Sequence, residues 1–387
     1  MRIAHVITRL LRAGSEENTI ACCLHQARLG NDVYLVHGME YDQSYYDELG
    51  DRLKLVKLDR LVHQVSPIDD CRSTLGFAKF CRRESIDIVH THQSKAGIIG
   101  RIGAGIARVP TVVHGIHIAP FLNVGWKKRS FYIAAERVAS LATDAFVSVS
   151  EGMRDAYTAR RIGRLHQHYV VPSGMDLEKF RHAQWPADWR SLLNLAPDVD
   201  ADHETPPVVL MLAAHEPRKR HIPLVNAFRE VLKTHPSTIL LLAGGGPGLH
   251  DTRAFIKSLG LEGQIKCLGY RNDPEHLIAL ADVCVLCSMR EGFPRVVVQY
   301  IAGGKPVVVS DLPGLSYLVV DGKNGVVTAA EDVDEIGKVL SGLFDDSREL
   351  KRLTEGARAT DVSRWELNHM CEGVMSVYRR LLESPER

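Results

Sequence analysis

Short apolar runs alternate along the chain with longer amphipathic stretches, and this alternation predicts repeated β-α-β units. Ile3 to Ile7, Val33 to Val36, Ile86 to His92, Thr111 to Val113 and Asp144 to Ser150 read as strands, and Val170 to Asp176 as a strand ending in a turn. Most are near-continuously apolar, as strands buried in a parallel sheet are. Ile20 to Leu29, closed by Gly30-Asn31, and Ala96 to Ala107, stopped by Pro110, read as helices. A second series follows: Val208 to Leu212, Ile239 to Ala243 with Gly244-Gly245-Gly246-Pro247 behind it, Ile265 to Gly269, Val283 to Cys287, and Val307 to Val309. Pro186 to Pro207 is polar, acidic and bracketed by prolines, which marks a connection between domains. Trp365 to Leu382 reads as a helix with basic residues near its end. The expected division is an N-terminal domain at 1–180, a linker at 181–206, a second domain at 207–362 and a C-terminal helix at 363–387. The fold class is α/β.

One stretch carries more chemistry than the rest. Met289-Arg290-Glu291-Gly292-Phe293-Pro294-Arg295 lies between two apolar runs and continues through Gln299 to Gly303-Gly304. Pro294 suits the first turn of a helix, where its missing N–H costs nothing, and the glycine pair suits its end. Glu291 and Gly292 then sit in a loop opening onto a helix N-terminus, where unpaired N–H groups favour an anion. A carboxylate beside an anion site suits a ligand carrying both phosphate and sugar hydroxyls.

Composition narrows this only a little. The 387 residues suit two domains, and 45% hydrophobic with 25% charged residues is ordinary for a globular chain. The net charge of +1 gives no global field for nucleic acid. Eight cysteines in no framework spacing suit a reducing compartment. The first residues read as a strand rather than a signal peptide, and no apolar run is long enough to span a bilayer. The expected home is the cytoplasm or its membrane surface.

Other candidate chemistry has competing readings. His90, His92, His114 and His117 fall at strand ends, where open α/β sheets bind ligands. They suit a zinc site only weakly, since no cysteine or carboxylate set stands beside them. Asp198-Val199-Asp200-Ala201-Asp202 has the Asp-x-Asp form that could hold a divalent metal, but inside a linker it reads as a solvated acidic run. Cys284 and Cys287 read as buried thiols. Phe121 to Arg137 mixes Trp126, Phe131 and Tyr132 with Lys127, Lys128 and Arg129, which suits either a membrane-surface helix or a solvated helix with its aromatics turned inward. Arg218-Lys219-Arg220-His221 reads by itself as a solvated basic turn.

Taken together, the motifs resemble the retaining, nucleotide-sugar-dependent glycosyltransferases of family 4, over nearly the whole chain. Ala13-Gly14-Ser15-Glu16 is similar to that family's N-terminal Gly-x-Glu loop, and Gly30 to Val33 stands at its Gly-His-x-Val turn. Val89 to Gly97 is similar to its second motif, Val171 to Asp176 to its hinge segment, Glu216 to Lys219 to its phosphate loop, and Glu291 to Pro294 to its donor motif. The resemblance implies the GT-B fold, two Rossmann-like domains facing each other across a cleft. It implies an enzyme moving a sugar from a nucleoside diphosphate to an acceptor hydroxyl, in cell-surface polysaccharide or glycolipid synthesis, without a metal or other cofactor. His117, Glu291 and Lys219 are the implied catalytic residues. Gly14, Arg218, Tyr270, Arg271, Gly292, Phe293, Pro294 and Gln299 are implied to bind the donor. The acceptor would be a saccharide or lipid-linked saccharide, with peripheral membrane contact through Phe121 to Arg137 and no nucleic-acid partner.

Two positions depart from the family pattern. Gln299 stands where a second glutamate grips the ribose, and Ala214 where an arginine holds the diphosphate. Arg218, His215 and Arg220 are the candidates to replace that arginine. The departures leave open a weakened accessory subunit or an epimerase acting on the donor alone. The first turn lacks Gly-x-Gly-x-x-Gly, which argues against a dinucleotide dehydrogenase.

Overall fold

The computed structural model describes residues 1–11, 14–122, 124–199, 205–289, 291, 293–312, 315–329 and 332–383. They form two compact units, Met1–Met175 with Ser363–Arg387, and Asp176–Val362.

The first unit is built on β1 (Arg2–Leu10), β2 (Asp32–Tyr41), β3 (Lys54–Lys57), β4 (Ile88–His92), β5 (Thr111–Ile116), β6 (Ala145–Ser148) and β7 (His168–Val170). They make one parallel sheet in the order β3-β2-β1-β4-β5-β6-β7. The helices that matter for the site are α1 (Gly14–Arg28), α2 (Ser94–Ala107) and α3 (Trp126–Ser140). The second unit has β8 (Val208–Leu212), β9 (Ile239–Ala243), β10 (Ile265–Gly269), β11 (Val283–Leu286), β12 (Val307–Ser310) and β13 (Gly325–Thr328), in the order β10-β9-β8-β11-β12-β13. Its helices α4 (His221–Thr234) and α5 (Arg295–Ala302) follow β8 and β11. Strand order reverses between β1 and β4 in one sheet and between β8 and β11 in the other. Such reversal points open a crevice at the carboxyl ends of the strands.

Both sheets are parallel α/β sheets, as the alternation predicts. The boundaries differ in several places. β7 is His168–Val170, so Val170 to Asp176, read as a strand, lies almost wholly beyond it, where Pro172 has no N–H for a ladder. α1 begins at Gly14, not near Ile20. Glu16 and Glu17 in its first turn favour that start through the helix dipole. The segment read as a linker, 181–206, belongs to the second unit wherever it is described. Trp189, Leu192 and Leu193 are buried there. Asp188 accepts two hydrogen bonds from Arg271 at 2.8 and 3.1 Å, and the Asn194 amide donates to the Gly263 carbonyl at 2.7 Å. Its polar composition hid these anchors; Asp200 and Asp202 lie outside the described residues.

The C-terminal helix α6 (Leu367–Glu383) is no separate tail, because it completes the first unit. Met370, Cys371, Val374, Val377 and Tyr378 recur at helical spacing and pack on Ile3, Ile88, Val113 and Ala145 of the sheet. A fully buried side chain of this kind contributes about 1.5–3 kcal/mol, so one face of α6 outweighs the cost of ordering it. β3 and β13 were not anticipated; each is four residues long, too short to show a period.

A buried ion pair fixes α3 to α2. Arg101 and Glu136 are both fully buried, with Nη2 donating to Oε2 at 2.7 Å, and Arg101 Nε donates to the Gly97 carbonyl at 2.7 Å. Removing one partner of such a pair leaves an uncompensated charge in the core. Glu136→Ala is expected to destabilise the first unit by about 3–5 kcal/mol in urea unfolding, whereas the double replacement Arg101→Met with Glu136→Leu should recover most of the loss. Equal stability of wild type and Glu136→Ala would refute the assignment.

Candidate active site

In the second unit, charged side chains converge at the β8/β11 reversal. The chain leaves β8 through Ala213 to His215 and turns through the short 3-10 helix Pro217–Lys219, with Arg220 in the left-handed region at φ 59° before α4. Glu291 follows β11. Lys219 Nζ donates to Glu291 Oε1, and Arg218 Nη1 donates to Glu291 Oε2 at 3.1 Å. Arg218 Nε also donates to Glu216 at 2.7 Å. The side chains of Lys219 and Glu291 are only 11% and 10% exposed. Burial pushes the Glu291 carboxyl up, but the hydrogen bond from Lys219 and the charges of Lys219 and Arg218 outweigh it and hold the carboxyl below its ordinary value. The Cys287 thiol donates to the Lys219 carbonyl at 3.3 Å, tying the turn to the end of β11.

The neighbouring loops are locked by close backbone packing. His215 N donates to the Gly245 carbonyl at 2.7 Å, and Gly244 N to the Gly269 carbonyl at 2.7 Å. A Cβ on Gly244 would stand 1.9 Å from the Ala213 carbonyl oxygen, so that crossing admits only glycine. His215 is buried, hydrogen-bonded to Thr252 at 3.2 Å and stacked on His221 with ring centroids 3.8 Å apart. Burial lowers both imidazoles, His221 to about 4, so neither is a cation at neutral pH. Arg218, one of the three candidates to replace the arginine absent at Ala214, meets Glu291 beside Lys219.

In the first unit, imidazoles gather at the β1/β4 reversal. His5 on β1 is the Cα partner of His90 on β4. His92 ends β4, and His117 follows β5, half-buried. His117 Nε2 meets His92 Nδ1 at 3.0 Å, His92 Nε2 meets His5 Nδ1 at 3.0 Å, and His5 Nε2 meets Gln26 Oε1 at 2.8 Å. His90 Nδ1 meets the Tyr378 hydroxyl of α6 at 2.7 Å. Burial lowers the imidazole pKa values of His90 and His92 well below the ordinary value and that of His5 to about 4. His5, His90 and His92 bring ring nitrogens within 4.8 Å of one another, the kind of cluster that can hold a metal. The His5 and His92 rings are nearly parallel, however, 10° apart, and meet nitrogen to nitrogen at 3.0 Å. That is the geometry of a shared proton rather than of two ligands splayed around an ion. His114 turns elsewhere, to Thr91 Oγ1 at 2.9 Å. Close by, Gln93 in the left-handed region at φ 63° donates to Glu16 at 3.0 Å and accepts from Thr8 N at 3.0 Å.

Two family models match successive parts of the chain: Glycosyltransferase Family 4 over residues 13–179, and Glycosyl transferases group 1 over residues 197–360. The chain belongs to the family 4 glycosyltransferases. It is an enzyme that transfers sugars. Among its relatives, an Escherichia coli UDP-Gal:alpha-D-GlcNAc-diphosphoundecaprenol alpha-1,3-galactosyltransferase is 28% identical over 305 residues, covering 78% of this chain and 77% of that protein. The Campylobacter jejuni N,N'-diacetylbacillosaminyl-diphospho-undecaprenol alpha-1,3-N-acetylgalactosaminyltransferase is 24% identical over 356 residues, covering 89% and 90%. Among solved structures, Anabaena HepE in complex with UDP superposes with a TM-score of 0.76 at 20% identity, covering 98% of this chain and 100% of that one. A Rickettsia africae glycosyltransferase gives a TM-score of 0.80 at 16% identity, covering 99% of each chain. These likenesses establish the GT-B fold.

The structure of this glycosyltransferase distributes the anticipated residues unevenly. Lys219, Arg218 and Glu291 form one cluster. Phe293 and Pro294 lead into α5, with Pro294 at the cap rather than inside the first turn, and Gln299 lies half-buried on that helix. Gly14 is the first residue of α1, and Gly292 lies outside the described residues. Tyr270 is 81% exposed after β10. Arg271 is held by Asp188 and, at 2.7 Å through two nitrogens, by Asp273, so it fastens this loop down. Sequence reasoning missed His5 and Gln26, and gave no role to the buried Glu16 or to Gln93, although both stand inside motifs it singled out. His5 is a lone polar residue inside an apolar strand, a pattern that could have flagged it.

The depressed Glu291 carboxyl makes a pH prediction. Its contribution to stability is present above the ordinary glutamate range and is lost as pH falls through the lowered folded value. Glu291→Gln should be less stable than wild type by about 1.5–3 kcal/mol at neutral pH, the worth of hydrogen bonds to a charged group. The gap should close on acidification, as read by chemical denaturation across a pH series. A pH-independent gap would show that the cations do not stabilise the ionised form.

Proposed function

We propose that this glycosyltransferase moves a sugar from a nucleoside-diphosphate donor to a hydroxyl of a lipid-linked saccharide, in cell-surface polysaccharide or glycolipid synthesis. Transfer retains the anomeric configuration and needs no metal ion. The observation that carries this reading is the convergence of Lys219 and Arg218 on Glu291 at the β8/β11 reversal. Expelling a nucleoside diphosphate builds negative charge on the leaving phosphate, and fixed cations at that point are the largest available stabilisation. Lys219 and Arg218 supply two, taking the part a divalent ion would play. The starts of α4 and α5 add the positive ends of two helix dipoles. Glu291, already ionised, accepts from donor-sugar hydroxyls. We assign His117 to the reacting sugar, Phe293, Pro294, Gly14 and Gly292 to the diphosphate, and Gln299, Tyr270 and Arg271 to the nucleoside end. The names of the Escherichia coli and Campylobacter jejuni relatives, both acting on diphosphoundecaprenol-linked sugars, support a lipid-linked acceptor. The UDP in the first of those names makes a UDP-sugar the first donor to test.

The test is a thermal-shift panel of UDP, GDP, ADP and their sugars, followed by transfer assays on a polyprenyl-diphosphate saccharide with and without EDTA. A true donor at a hundred times its Kd stabilises by about 2.7 kcal/mol. Transfer should survive EDTA and vanish in Lys219→Ala. Arg218→Ala should weaken diphosphate binding roughly ten- to a hundredfold, the worth of a hydrogen bond to a charged group. Binding without transfer would favour an accessory subunit, a reading that Ala214 and Gln299 motivate, and acceptor-free conversion of the donor would identify an epimerase.

We further propose that α3 lies on the inner face of the membrane. Its aromatic residues split between inside and outside: Phe121, just before it, is buried and Tyr132 half-buried, while Trp126 and Phe131 are 73% and 57% exposed. Lys127, Lys128 and Arg129 are exposed among them. Outward aromatics among cations match an anionic bilayer surface. Among the described residues no helix is long and apolar enough to cross a membrane. Replacing Lys127 and Lys128 by alanine should weaken sedimentation with anionic vesicles roughly thirtyfold, at about 1 kcal/mol per cation. Wild-type protein that ignores such vesicles would end this part of the proposal.

A further inference from the structure

We propose that His92, His5 and Gln26 form a directional hydrogen-bond relay that holds His117 in one tautomer and one orientation. This rests on the reading of His117 as the group facing the reacting sugar. A neutral imidazole donates from one nitrogen and accepts at the other. Burial keeps His5 and His92 neutral at working pH. A line of neutral imidazoles therefore has only two self-consistent states, with every proton pointing one way or every proton pointing the other. The end of the line decides. Gln26 presents its carbonyl oxygen to His5 Nε2 at 2.8 Å, so that nitrogen must carry the proton. His5 Nδ1 then accepts from His92 Nε2–H at 3.0 Å, and His92 Nδ1 accepts from His117 Nε2–H at 3.0 Å. His117 is thereby protonated on Nε2, and its lone pair lies on Nδ1. Gln26 and His5 are thus positioning residues acting through His92.

The fold makes room for this line. Gly115 on β5 lies against it: a Cβ there would stand 2.8 Å from His92 Nδ1 and 3.3 Å from His117 Nε2, the two atoms of the last link. Any side chain at this position would press on that hydrogen bond. The relay also links three strands and a helix, since His5 comes from β1, His92 from β4, His117 from the end of β5 and Gln26 from α1.

The direct test is the tautomer state of the wild-type histidines, read by long-range 15N–13C correlation NMR on 15N-histidine-labelled protein. The expected result is Nε2–H for His5, His92 and His117. Nδ1–H forms, or averaging between the two, would overturn the relay, as would one equivalent of zinc bound by His5, His90 and His92 in metal analysis. Two variants then connect it to transfer. Gln26→Leu removes the anchoring carbonyl, and Gly115→Ala presses on the His92–His117 link. Each should lower kcat, by up to about a hundredfold for a misplaced catalytic group, with the KM for the donor unchanged. A loss confined to KM, or unchanged kcat with a changed tautomer, would overturn the link to catalysis. The NMR measurement needs no turnover, so it decides the relay even if neither variant folds. Failure to find any donor would count against the function and not against the relay.

Discussion

The constraint on which the rest depends is the point in each sheet where strand order turns back. Parallel strands deliver all their exits to one edge, and right-handed crossovers carry the chain away on either side of the reversal. Only there do two adjacent strands send their loops apart, leaving polar side chains uncovered by their own connections. In the first unit the reversal sets His5 directly beside His90, and in the second it sets the turn after β8 beside the segment after β11. Register matters as much as order. A slip of one residue between β1 and β4 would send His5 to the opposite face of the sheet and leave His92 without its acceptor.

The charges of the second unit gather on Glu291. The strand end at Ala214 has no cation, and the adjacent His215 is buried and neutral. Arg218, one turn further on, bridges Glu216 and Glu291. Its side chain is planar and multidentate, so it can hold two carboxylates at once.

Much of the fold was legible because parallel α/β sheets write themselves as apolar runs between amphipathic ones. Lys219 and Glu291 could be singled out as a pair to look for because each sits in a short contiguous motif, and the structure brings them together. What sequence could not show was anything assembled from single residues far apart. Gln26 looks like an ordinary polar helix residue until α1 places it against His5, and Glu136 like one more charge on a basic helix until Arg101 meets it in the core. The polar segment before β8 misled for the opposite reason: its few anchors, Asp188, Trp189 and Asn194, are outnumbered by solvent-facing neighbours. The early start of α1 was hidden because a glycine and a serine read as a turn, whereas the two acids behind them favour a helix start through the dipole.

The packing of α6 has a consequence for how the molecule is made. The chain crosses from the first unit to the second after Met175 and returns at Ser363, and the two crossings are pinned side by side where Met175 N donates to Trp365 O at 2.7 Å and Leu367 N to Met175 O at 3.1 Å. The second unit is therefore an insertion within the first. During synthesis, the sheet bearing the histidines must wait with Ile3, Ile88 and Val113 uncovered while the entire second unit emerges from the ribosome. The half translated later can finish folding earlier, and the half translated first is the one exposed to chaperones and proteases in the interval.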